Sequence, residues 1–173
     1  MRDFSSDFDL TPGHIWLNSA SEGPLPRVSA CALQDAVAWK SSPEKLTISK
    51  FQQIPLELKQ SISQFCQLST DGIILGNSAT YGIHLLANGL SFKAGDEIIV
   101  MCNDFPTDIL PWLYLKEKGV IIRQLKALKY VLGVEEVKAA INARTRLICL
   151  PLVHTFSGWK LDIEAIGRLA RQH

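Results

Sequence analysis

The chain has 173 residues, 47% of them hydrophobic and 20% charged, a globular composition long enough for one buried core. Lysine and arginine number 18 against 17 acidic residues, a net charge of +1 with neither sign gathered into a block, which argues against nucleic acid or an anionic membrane as partner. No window reaches the roughly 18 uninterrupted apolar residues of a membrane span, and residues 1–7 contain no apolar signal core, so a cytoplasmic protein is expected.

Residues 1–13 are polar and end at Thr11-Pro12-Gly13, an arm leading into Ile15-Trp16-Leu17. Asn18 to Pro26 is rich in small residues and closes on two prolines that stop any regular element. From residue 28 to 40, Ala32, Leu33, Ala36, Val37 and Trp39 follow helical spacing, ended by Ser41-Ser42-Pro43. A second helix is predicted over 55–67, with Leu56, Leu58, Ile62, Phe65 and Cys66 mostly on one side. The four cysteines, Cys31, Cys66, Cys102 and Cys149, lie far apart without a CxxC pair and read as buried free thiols.

After Ser69-Thr70-Asp71-Gly72 the texture changes to strands alternating with helices. Strands are predicted at 73–75, 97–102, 120–125 and 146–151, and helices at 78–90, 108–118, 134–142 and 162–171. The fold class is therefore α/β, a mostly parallel sheet flanked by helices. Ligands in such sheets collect at the carboxyl ends of the strands, so residues 76–80, 103–108 and 153–158 are expected to share one edge.

Within that edge, Gly76-Asn77-Ser78-Ala79-Thr80 forms a glycine turn with hydroxyls that opens a helix. Backbone N–H groups, hydroxyls and the helix dipole then converge, an arrangement suited to a phosphate ester. Asn103-Asp104-Phe105-Pro106-Thr107-Asp108 places an aromatic ring beside it, after the next apolar run. Of the four histidines only His154 stands at a predicted strand end, and none has partners at metal-ligand spacing. An ordinary nucleotide-binding domain is disfavoured, because no G-x-G-x-x-G follows the first strand of the alternating region.

Several stretches, in this order and spacing, resemble the N-terminal half of the class V aminotransferases. They are Ile15-Trp16-Leu17-Asn18-Ser19-Ala20 with Gly23-Pro24-Leu25-Pro26; Asn77-Ser78-Ala79-Thr80-Tyr81-Gly82-Ile83; Ala94-Gly95-Asp96-Glu97-Ile98-Ile99-Val100; Asp104-Phe105-Pro106-Thr107-Asp108 with Pro111-Trp112; and Val153-His154-Thr155-Phe156-Ser157-Gly158 with Asp162-Ile163. This is the branch of fold-type I pyridoxal 5'-phosphate (PLP) enzymes that includes cysteine desulfurases, selenocysteine lyases, kynureninases and isopenicillin N epimerase-like proteins.

The resemblance implies PLP as cofactor and an amino acid, a small molecule, as substrate. It places Ala79 and Thr80 on the cofactor phosphate, with Thr107 and Asp108 on the neighbouring turn. Phe105 falls where an aromatic ring stacks on the pyridine, and Thr155 near the group that meets the cofactor's 3-hydroxyl. Asn18, Ser19 and Ala20 match a loop on the substrate side. The implied division is an arm and substrate-side loop over 1–26 and a partial PLP-binding domain over 27–173.

Family members are about twice this length, and their second half carries the Schiff-base lysine and the aspartate that pairs with the pyridinium nitrogen, both needed for PLP chemistry. The expectation is accordingly a truncated portion of a transferase or lyase, inactive alone and poorly soluble, with no catalytic residue of its own. The other reading is a non-catalytic half-domain that assembles with a separate C-terminal chain or serves in dimerisation. Self-association is implied either way, since fold-type I enzymes usually form homo-oligomers.

Overall fold

The computed structural model describes residues 3–173, in two compact units that divide between Leu75 and Gly76. The first unit is helical. Pro26 sets the extended backbone before α1 (Arg27–Ser41), and α2 spans Ile48–Cys66. The second helix begins seven residues earlier than its apolar spacing predicted. Thr47 is the reason: its side chain accepts from the Lys50 N–H at 3.4 Å and caps the first turn, so Pro55 is carried inside the helix. Neither helix contains a buried residue.

The second unit alternates as the sequence predicts. Its elements are α3 (Ala79–Gly89), β1 (Glu97–Met101), α4 (Pro106–Leu113), β2 (Ile121–Leu125), α5 (Val134–Ala140), β3 (Thr145–Cys149) and α6 (Ile163–Ala170). The helix predicted over 108–118 is split, because α4 tightens into a 3-10 turn over Tyr114–Lys118 that stops at Gly119 with φ +81°. The three strands form a parallel sheet in the order β2-β1-β3, with Glu97 opposite Ile121 on one side and Thr145 on the other. β1 is buried along its whole length, as the central strand of a sheet covered on both faces must be.

Two apolar clusters cover those faces. Ala87 of α3 and Trp112 of α4 pack with Ile98, Val100, Leu115 and Val120 on one; Val137 of α5 and Ile166 and Leu169 of α6 pack with Met101, Leu132 and Leu161 on the other. At the amino end of the sheet Glu97, only 2% exposed, is tied to Asn142, Arg123 and Arg144.

Two expectations are corrected. Residues 73–75 form no strand: the sheet consists of β2, β1 and β3, and the Ile73 N–H donates locally to the Thr70 carbonyl at 3.2 Å instead of to a strand. The cysteines are free as expected but not buried, since Cys31 and Cys66 are exposed on α1 and α2 and only Cys102 and Cys149 are partly covered. Among the described residues no helix is long and apolar enough to cross a membrane.

Candidate functional site

The candidate site lies at the carboxyl edge of the sheet in the second unit. Gly76 begins it. A Cβ at this position would sit 2.7 Å from the Tyr81 ring, so any other residue would push that ring away from the turn. Ser78 is the N-cap of α3, its hydroxyl accepting from the Tyr81 N–H at 3.1 Å. The first-turn N–H groups of Ala79 and Thr80 then lie outside the intrahelical ladder, at the positive end of the helix dipole.

α4 starts beside α3. Phe105 precedes it with extended backbone, Pro106 occupies the first helical position, and Thr107 and Asp108 complete the first turn. The Thr80 and Thr107 hydroxyls meet at 2.7 Å, which joins two helix N-termini that lie 27 residues apart in sequence. The sequence placed the phosphate cup at a strand end. The structure brings it to the same edge without that strand, through this hydroxyl pair.

Around the pair the environment is acidic. Asp104 is 5% exposed; its Oδ1 accepts from the Phe105 N–H at 2.8 Å, and its buried Oδ2 has no hydrogen-bond partner among the described residues. Burial raises the Asp104 carboxyl above the usual range, against the pull of that N–H. Asp108 is raised too, by burial first and then by the charge of Asp104. Cys149, at the end of β3, is pushed up to about 11 by burial, with both carboxylates adding. Its thiol therefore stays protonated at neutral pH.

Phe105 is 49% exposed, consistent with a ring that presents one face outward. Thr155 is exposed in the turn that follows β3, one residue after the buried His154. Asn18, Ser19 and Ala20 belong to the first unit, where Ser21 and Glu22 both donate to the Asn18 carbonyl and leave all three side chains exposed. The structure thus brings Thr80, Thr107 and their neighbours Phe105 and Asp108 together.

Sequence reasoning gave no role to Asp104. Its signal was an acid placed between the apolar end of β1, Ile98 to Met101, and a Phe-Pro helix start, where a carboxylate is either a cap or a buried charge.

The class-V aminotransferase family model matches residues 25–173. The chain belongs to the class-V aminotransferase family. Curated relatives include a probable cysteine desulfurase of Methanothermobacter thermautotrophicus, 26% identical over 97% of this chain and 43% of its own length. Another probable cysteine desulfurase, of Ureaplasma parvum, is 31% identical over 60% of the chain. This class-V chain therefore spans less than half the length of the relatives it matches.

Among solved structures, a mutant of C-DES with glycine covalently linked to its PLP cofactor covers the whole chain at 20% identity with a TM-score of 0.89, against 46% of its own length. The cysteine desulfurase CsdA of Escherichia coli covers 98% of the chain at 19% identity with a TM-score of 0.81, against 45% of its own length. At these identities the likeness is one of fold.

Proposed function

We propose that this chain forms the phosphate-holding and ring-facing part of a PLP-dependent class V enzyme acting on an amino acid. The observation that carries the reading is the Thr80–Thr107 contact, which points two helix N-termini and two hydroxyls at one spot. Ala79 and Thr80 supply N–H donors to a phosphate ester there. Phe105 offers a half-exposed ring for stacking on a flat heteroaromatic, and the residues present fit the phosphate and one ring face.

When bound, PLP supplies an electron sink for charge developing at the α-carbon of an amino acid. Thr155 is assigned to the ring hydroxyl and Asn18, Ser19 and Ala20 to the substrate side, following the family resemblance. The same resemblance assigns the aldehyde to a lysine with no counterpart among these residues, so this chain by itself is expected to bind without turnover. Support for an amino acid as substrate comes from the relatives, which are named cysteine desulfurases, and from C-DES, named a cystine C-S lyase in complex with its product cysteine persulfide. The exposed apolar residues of α1 and α2, Val37, Phe51 and Phe65 among them, support association with a second copy or a complementing chain.

The test is equilibrium binding of PLP and of pyridoxal, which lacks the phosphate. PLP is expected to bind more tightly, and Thr80→Val to weaken it about tenfold while leaving pyridoxal unchanged. Equal binding of the two compounds overturns the reading.

A further inference from the structure

The turn after β3 is fastened to the turn after β1 by one buried side chain. His154 is 6% exposed. Its Nε2 lies 3.2 Å from the Asn103 carbonyl oxygen, across 51 residues of sequence, and its Nδ1 lies 2.9 Å from the Ser157 hydroxyl. A carbonyl oxygen only accepts, so Nε2 must carry the proton. Nδ1 is then the acceptor, and it receives the Ser157 O–H and, at 3.3 Å, the Ser157 backbone N–H. One tautomer, neutral with the proton on Nε2, satisfies every contact.

Asn103 has φ +57°, a left-handed conformation that asparagine adopts more readily than most residues and that turns the chain sharply after β1. Two residues on stands Phe105. On the other side the chain doubles back, with the His154 N–H donating to the Trp159 carbonyl at 2.9 Å, the Gly158 N–H to the His154 carbonyl at 2.9 Å, and Val153 bridged to Lys160. Thr155 lies inside that small loop. The imidazole therefore connects the segment bearing Phe105 to the segment bearing Thr155, while Thr80 and Thr107 are joined separately.

We infer that His154 is a positioning residue for the ring-facing wall of the site, setting the turn that carries Phe105 against the loop that carries Thr155 through the Nε2–H bond to the Asn103 carbonyl. The inference rests on the reading of this edge as a phosphorylated-heteroaromatic site. Its two halves are separable by substitution. The amide of His154→Gln reaches to the Nε2 position and donates to Asn103, keeping the cross-loop bond. The shorter His154→Asn reproduces only Nδ1 and accepts from Ser157, keeping the local loop and losing the link.

The experiment is calorimetric titration of the wild-type chain and both variants with pyridoxine 5'-phosphate, which carries ring and phosphate without an aldehyde, and with inorganic phosphate. His154→Asn should weaken pyridoxine 5'-phosphate about tenfold and change inorganic phosphate less than about twofold, while His154→Gln stays near wild type for both. Equal losses in the two variants, or a parallel loss of both ligands, would reduce His154 to a packing role and overturn the inference. Failure of the wild-type chain to prefer pyridoxine 5'-phosphate over phosphate would instead overturn the cofactor reading beneath it. Should the variants not fold, the ¹⁵N spectrum of the wild-type imidazole decides: a protonated Nε2 with a bare Nδ1 is required, and a proton on Nδ1 is fatal.

Discussion

Glu97 offers the sharpest test of what holds the sheet together. It is a carboxylate with 2% exposure at the start of the central strand, and three donors converge on it. Asn142 Nδ2 donates to Oε2 at 2.8 Å, Arg123 Nη1 to the same oxygen at 3.1 Å, and Arg144 Nη2 pairs with Oε1 at 2.6 Å. Glu97→Gln keeps the volume and one acceptor but turns an amide NH₂ toward donors. About two charge-assisted bonds are lost, each worth roughly 1.5–3 kcal/mol. Arg144 is 64% exposed and Arg123 37%, so the freed guanidinium groups rehydrate and offset part of the loss.

The net cost should be about 2–4 kcal/mol, a large share of a typical domain's 5–15 kcal/mol. In urea at pH 7 the midpoint should fall by about 1–2 M. The pH dependence supplies a second reading. The Asn142 bond, and then the two arginines, hold the Glu97 carboxyl below its ordinary value of 4.5 despite burial. The unfolded chain thus takes up this proton first as pH falls, and the stabilisation, complete above pH 4.5, drains away as pH drops through the lower folded value. The gap between wild type and Glu97→Gln must narrow on acidification. A gap under about 0.5 kcal/mol at pH 7, or one that holds constant below pH 4.5, refutes the reasoning.

The other predictions are simpler. Asp108 has the opposite sign: burial and the Asp104 charge raise its carboxyl, so ionisation penalises the fold above that raised value, and Asp108→Asn should stabilise at pH 7 with an advantage that disappears on acidification; a urea melt showing destabilisation at neutral pH would mean that the charge's interaction with the α4 dipole wins. Gly119→Ala puts a Cβ 2.8 Å from that of Ala94 at φ +81° and should cost about 1–3 kcal/mol in the same assay, no change being evidence that the turn is not closed in solution. Trp112→Ala empties the centre of the cluster formed with Ile98, Val100 and Leu115 and should cost about 3–5 kcal/mol, whereas a cost near zero would mean the cluster collapses around the void.

The sequence by itself determined the alternation of strand and helix, the parallel sheet and the family. These are properties of local spacing and of short signals read in order: apolar runs such as Ile98-Ile99-Val100, the turn Ser69-Thr70-Asp71-Gly72 that opens the alternating region, and the glycine turn at 76–80. It also located Thr80 as a site candidate from the hydroxyls of the glycine turn, and Thr107 through the family resemblance. Only the tertiary structure decided that these hydroxyls meet, that Ile73-Ile74-Leu75 stays outside the sheet, and that Asp104 is buried with one oxygen unpartnered. Likewise the bond from His154 to Asn103 and the ring of donors around Glu97 join residues tens of positions apart. The physical reason is the same in each case: caps, turns and periodicity are satisfied within a few residues, whereas a strand's hydrogen bonds, a carboxylate's burial and an imidazole's tautomer are set by groups that the fold alone brings near.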